Sequence, residues 1–193
     1  RKSVILEVLN NTTYNKLKQI GYILVFFIVF CFGFTETQSS KIDTNSKIKA
    51  VFLYNFTKYI EWPTEYKNGN FVVGILGNSA ALYKELSLMS KTKKVASQEF
   101  EIKIYTSADD INDKIHMLYI PDEASGSIKN ASQKLKGKST LIVTETPELS
   151  TQESGINFII VANRQKFELN KSNVEGHNLK VSKSLEDLAV VVN

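Results

Sequence analysis

The 193-residue chain is 42% hydrophobic and 23% charged, with 9 Gly, 3 Pro, one Cys and two His. That length suits one domain of ~100–200 residues, and the composition excludes collagen-like, low-complexity and wholly disordered classes. A lone Cys excludes a disulfide framework or thiolate cluster, and His116 and His177 leave little material for a metal site or a catalytic triad. The formal charge of +4 is uneven: residues 1–35 contribute +3 and residues 36–193 only +1, so the basic balance is no argument for nucleic acid.

Lys16 and Lys18 precede an uncharged run, Gln19–Phe34, whose apolar core is Tyr22–Phe32. A basic start followed by ~7–15 apolar residues is the pattern of a secretory signal peptide. The run is shorter than the ~20 residues of a spanning helix. Thr35–Lys41 is polar and carries no stop-transfer basic cluster. Residues 17–38 therefore read as a signal peptide, cleaved between Gly33 and Ser40, with an uncleaved N-terminal anchor as the alternative. Cys31 leaves with the signal, since Phe30 is too bulky for a lipid-attachment site. With no Met before Met89, residues 1–16 read as upstream or fragment sequence and Leu17 as an alternative start.

From residue 41 the pattern alternates. Ser46–Ile60 has helical spacing and stops at Trp62-Pro63. Phe71–Leu76 is a continuous apolar run, as in a strand covered on both faces. A helix over Ala80–Met89, capped by Asn78 or Ser79, leads to a basic loop, Lys91–Lys94. Phe100–Tyr105 alternates as a half-buried strand does. A short helix over Ala108–Asp113 and a strand over His116–Ile120 follow, then a helix over Ser127–Leu135 with Gly137 as its stop. Thr140–Thr144, Ile156–Ala162 and Lys166–Leu169 read as strands, the last two joined as a hairpin at Asn163-Arg164. Asn170 caps a short helix ending at Gly176, Leu179–Val181 adds a strand, and a last helical piece runs from Ser184 into Val190–Val192. Such alternation predicts a three-layer α/β domain over residues 41–193, with a mostly parallel sheet, helices on both faces and an antiparallel element at an edge.

Chemistry-bearing patterns are sparse. Gly74-Ile-Leu-Gly77-Asn-Ser79 joins a strand to a helix but has neither dinucleotide nor phosphate-loop spacing, so a tight turn is preferred; a small ligand at that sheet edge is the rival. His116 starts a core strand, and His177 sits as a cation at a helix end. No nucleophile elbow, zinc-protease or paired-carboxylate signature is present, so neither enzyme activity nor a metal or cofactor is expected. The helix 46–60 is more informative, because its apolar residues cover an arc of ~200° where a surface helix needs little over ~100°. Phe52, Phe56 and Tyr59 are its candidate interaction surface. Asn55, Asn157 and Asn170 are expected to play local structural roles, since a buried amide must be hydrogen-bonded.

These residues resemble a family. Ala50–Pro63 (AVFLYNFTKYIEWP), containing Leu53, Tyr54, Asn55, Phe56, Lys58, Trp62 and Pro63, is similar to the opening motif of the YfiR-like bacterial periplasmic proteins. The strand with Gly74 and Gly77 is similar to that family's first strand. Asn157-Phe158 and Phe167-Glu168-Leu-Asn170 resemble its late signature, and Val181–Val191 its C-terminal stretch. The resemblance implies a non-enzymatic periplasmic α/β domain that dimerises. It implies binding to the periplasmic sensor region of an inner-membrane diguanylate cyclase, which is held inactive; a sensor kinase is the alternative partner. Two features depart from the family: no Cys remains after residue 31 for a redox bridge, and Glu186 and Asp187 make acidic a last helix that is commonly basic.

Overall fold

A strand apolar at every position, such as Phe71–Leu76, must be covered on both faces, and the rest of the chain is arranged to do this. The computed structural model describes residues 44–146 and 153–190. The signal-peptide, cleavage-site and upstream-start readings, with Val191–Val192, lie outside the described residues. Along the chain run α1 (Thr44–Tyr59), β1 (Ile60–Glu61), β2 (Phe71–Leu76), α2 (Ala80–Ser90), β3 (Lys94–Val95) and β4 (Gln98–Tyr105). They are followed by β5 (Met117–Ile120), α3 (Ile128–Lys134), β6 (Leu141–Thr144), β7 (Ile156–Val161) and β8 (Arg164–Leu169). The last elements are α4 (Lys171–Gly176), β9 (Lys180–Val181) and α5 (Lys183–Leu188).

The main sheet has seven strands in the order β3-β4-β2-β5-β6-β7-β8, and β1 pairs with β9 in a separate two-stranded sheet. Strands β4, β2, β5, β6 and β7 are mutually parallel. Their spatial order is second, first, third, fourth, fifth in chain sequence, one of the doubly wound orders, in which the switch point lies between β2 and β5. Alternation along β2 divides the core. Phe71, Val73 and Ile75 join the cluster under α1, α2, α4 and α5, while Val72 and Leu76 join the cluster under α3. The expected mostly parallel, three-layer α/β architecture is the observed one.

Three local differences have physical causes. Antiparallel pairing caps both edges, because Lys94, read from sequence as the end of a basic loop, and Val95 pair with Glu99 and Gln98. A two-residue strand is too short to show alternation. The β7–β8 turn falls on Ala162-Asn163, both at positive φ (48° and 58°), one residue earlier than expected; two left-handed residues match the twist of a tight hairpin. The C-terminal helix is capped by Ser182, whose hydroxyl accepts from the Leu185 N–H at 3.3 Å, and ends at Leu188. It does not continue into Val190: the chain turns extended, and the Val190 N–H donates to the Phe167 carbonyl at 2.9 Å along the β8 edge.

Candidate functional site

The two sequence motifs, about a hundred residues apart, meet in one aromatic cluster. Helix α1 brings Phe52 and Phe56 over the β7–β8 hairpin, where Phe158 and Phe167 are directly paired. The Phe56 ring stacks on Phe158 at 5.9 Å and meets Phe167 edge-on at 5.1 Å. Phe52 lies 5.9 Å from Phe158 and 6.0 Å from Phe167. Phe56 is only 1% exposed, so it is a core residue and not part of an interaction surface. Phe52 and Tyr59 are half-buried. The free face of α1 is instead completed by Ile48 and Val51, 40% and 45% exposed. Ile48, Val51, Phe52, Asn55 and Tyr59 follow i, i+3, i+4, i+7, i+11 spacing, a single helical stripe left partly uncovered. The wide apolar arc therefore resolves into a buried side (Ala50, Leu53, Phe56) and this flanking stripe.

At the far end of α1, the Trp-Pro residues anchor a second cluster. Trp62 meets Phe71 edge-on at 4.9 Å, and its indole N–H donates to the His116 carbonyl at 3.1 Å. Pro63 precedes a single turn of 3-10 helix that delivers Tyr66. His116, fully buried, stacks on Phe71 at 4.3 Å. Its Nδ1 accepts from the Val72 N–H at 3.1 Å, so the proton resides on Nε2, which donates to the Tyr66 carbonyl at 2.7 Å. Burial lowers the imidazole pKa, with Lys114 acting the same way and the Tyr66 carbonyl opposing. Both ring nitrogens are thus committed to backbone, which suits a structural imidazole and not a general base. His177 caps α4, its Nδ1–H donating to the Lys138 carbonyl at 2.9 Å. Sequence reasoning missed Tyr66, whose carbonyl also accepts from Gln98 and whose hydroxyl accepts from the Ser139 N–H. Its partners are 32 to 73 residues away, so no local pattern marks it.

Asn157 is 1% exposed and fully bonded. Its Oδ1 accepts from the Thr144 hydroxyl (2.9 Å) and the Thr146 N–H (3.0 Å). Its Nδ2 donates to the Thr146 carbonyl (3.1 Å) and to Glu168 Oε2 (3.0 Å). This amide thus stitches the end of β6 to β7 and β8. Asn170 caps α4 by accepting from the Asn173 N–H at 3.0 Å. Asn55 and Lys58 bond each other at 2.9 Å, with the Lys58 ammonium 5.0 Å from the Tyr54 ring centroid.

The Gly74–Ser79 turn is tight. Gly77 holds φ +83°, a conformation glycine tolerates, and its N–H donates to the Tyr105 carbonyl at 2.8 Å. A Cβ on Gly77 would lie 3.3 Å from that of Ala124, in the 3-10 helix Asp122–Ser127 after β5, and one on Gly74 would lie 2.9 Å from the Tyr105 ring. That 3-10 helix thus approaches the turn closely at Gly77. Open space lies further along the same edge, as a cleft of about 510 Å³ beyond β5–β7, with Lys49 and Glu145 ion-paired in its wall. Among the described residues no group of three or more His, Cys, Asp or Glu side chains is placed to hold a metal ion, and no helix is long and apolar enough to cross a membrane.

No curated protein matches the chain. The sequence profile of the YfiR/HmsC-like family matches residues 46–190, from the first turn of α1 to the residue that closes the β8 edge. Both motif blocks, the α/β sheet they build and the aromatic cluster where they meet lie within that span, and the chain belongs to the YfiR/HmsC-like family.

Proposed function

We propose that this protein is a non-enzymatic periplasmic regulator of cyclic di-GMP signalling. It binds the periplasmic sensor region of an inner-membrane diguanylate cyclase and represses it, working as a homodimer. The observation that carries this reading is the family match over residues 46–190. Two features of the site are in keeping with it. Both ring nitrogens of His116 and the Nδ1 of His177 are held by backbone partners. Helix α1 offers the stripe of Ile48, Val51 and Phe52, an apolar face of the kind used for partner contact. A regulator of this type shifts its partner only by its difference in affinity for the partner's two states, ~1–3 kcal/mol in typical couplings.

The test is made in the native cell. Deletion of the gene is expected to raise cyclic di-GMP, measured by mass spectrometry, and the wild-type gene to restore it. A photo-crosslinker at position 51 is expected to capture an inner-membrane protein. Unchanged cyclic di-GMP after deletion would overturn the cyclase assignment. A captured sensor kinase in that case would transfer the reading to the alternative partner.

A further inference from the structure

The loop between the 3-10 turn Thr64–Tyr66 and β2 carries the chain's one Asn-Gly step, Asn68-Gly69. We propose that Asn68 is a site of spontaneous modification, at which the protein's own backbone converts the side-chain amide to aspartate and isoaspartate.

The local structure leaves the reaction free to run. Asn68 and Gly69 are both exposed. Neither the Asn68 amide nor the Gly69 N–H has a hydrogen-bond partner among the described residues. Gly69 holds φ +77°, with no atom within 4 Å of the place a Cβ would take, so nothing crowds the attacking nitrogen. In the first step the Gly69 nitrogen gives its proton to hydroxide and attacks Asn68 Cγ. The Cγ–Nδ2 bond breaks, and the nitrogen takes a proton from water and leaves as ammonia, closing a succinimide ring. Water then opens the ring at either carbonyl, giving aspartate from one and isoaspartate from the other. Nearby asparagines are placed less well. The Asn70 amide donates to Glu101 Oε2 at 2.8 Å and is followed by the buried Phe71, and Asn78 is followed by Ser79, whose side chain flanks the nucleophile.

The consequence is set by Gln98. Its Nε2 donates to the carbonyls of Tyr66 (3.0 Å) and Gly69 (3.1 Å), so one amide pins both ends of the loop. Isoaspartate routes the main chain through the side-chain methylene and adds a backbone atom between these pins. The Gly69 carbonyl is displaced and its bond to Gln98 lost. Aspartate at the same position adds the charge without the extra atom and leaves the bond in place.

Protein purified from its native cells, aged at mildly alkaline and mildly acidic pH, digested in acid and mapped by mass spectrometry with fragmentation that separates isoaspartate from aspartate, tests this. Among Asn68, Asn70 and Asn78, modification is expected at Asn68 alone, faster at the alkaline pH, and absent from Asn68→Gln. The isoaspartate form, isolated by ion exchange, should melt roughly 2–4 °C below the fresh protein, as for one lost hydrogen bond in a domain of this size. Asn68→Asp should melt with the fresh protein. An Asn68 that stays intact in the folded protein while the urea-unfolded chain is modified, equal modification at Asn70 or Asn78, a rate that ignores pH, or an isoaspartate form that melts with Asn68→Asp would each overturn the proposal. These measurements contain no protein partner, so their failure leaves the cyclase reading untouched, and the reverse holds.

Discussion

Truncating Phe56 to Ala tests whether the two family motifs are joined by packing. The side chain is 1% exposed and its ring centroid lies 6.1, 5.9 and 5.1 Å from those of Phe52, Phe158 and Phe167. Removing a ring that hides ~150 Å² of apolar surface forfeits about 4 kcal/mol at ~25 cal/mol/Å². The cavity left between helix and hairpin adds to this, and partial collapse of Phe52 into the space subtracts. Phe→Ala changes in cores cost ~3–5 kcal/mol, which brackets the value. At ~2–4 °C per kcal/mol for a domain of this size, the melting temperature should fall by roughly 8–16 °C. Urea unfolding followed by the fluorescence of Trp62, the one tryptophan, supplies the free energy. The control is Val51→Ala, at a 45% exposed site on the same helix, which should cost under about 1 kcal/mol. A Phe56→Ala protein as stable as the Val51→Ala protein would refute the packing assignment.

Three further outcomes are expected. Asn157→Ala leaves Glu168, the Thr144 hydroxyl and two Thr146 backbone groups without their amide partner; it should cost about 2–3 kcal/mol in urea unfolding, and a loss below about 0.5 kcal/mol would mean that water replaces the amide freely. Gly155→Ala would set a Cβ 2.7 Å from Val174 and 2.9 Å from Leu141, so overpacking of about 1–3 kcal/mol is expected, read as an earlier thermal transition; an unchanged transition would show that α4 yields. His116 titrates below 6.5 in the folded protein because it is buried. The unfolded chain then binds the extra proton first, and stability is full above pH 6.5 and declines as pH falls from 6.5 toward the folded-state pKa. The difference in urea midpoint between wild type and His116→Gln should therefore shrink as pH is lowered through that window, and a constant difference would contradict the assignment.

How much was legible in the sequence depended on the range of the interactions involved. The sequence by itself determined the class of the fold and the place of most elements, because burial on both faces leaves a local trace. Phe71–Leu76 reads as a covered strand without reference to anything else, and the alternation of strands and helices then requires parallel crossovers. The Asn170 cap was equally local, satisfying the N–H three residues ahead of it, whereas Ser79 begins α2 without a side-chain cap bond and Ser182 was not read as a cap. The family blocks were legible as well, but not the reason for them.

That reason was decided by tertiary structure. Which side of a ~200° apolar arc is core depends on what lies opposite. The β7–β8 hairpin covers Phe56 and leaves Val51 open, so Phe56, read from sequence as surface, is core. Tyr66 and His116 became hubs only because the chain places the turn after Trp62-Pro63 against the start of β5, some fifty residues later. The cleft at the β5–β7 edge likewise has no trace in any one segment. Its wall is assembled from α1, Asp122 after β5, Glu145 just past β6, and β7 and β8, segments whose only common property is where the sheet puts them.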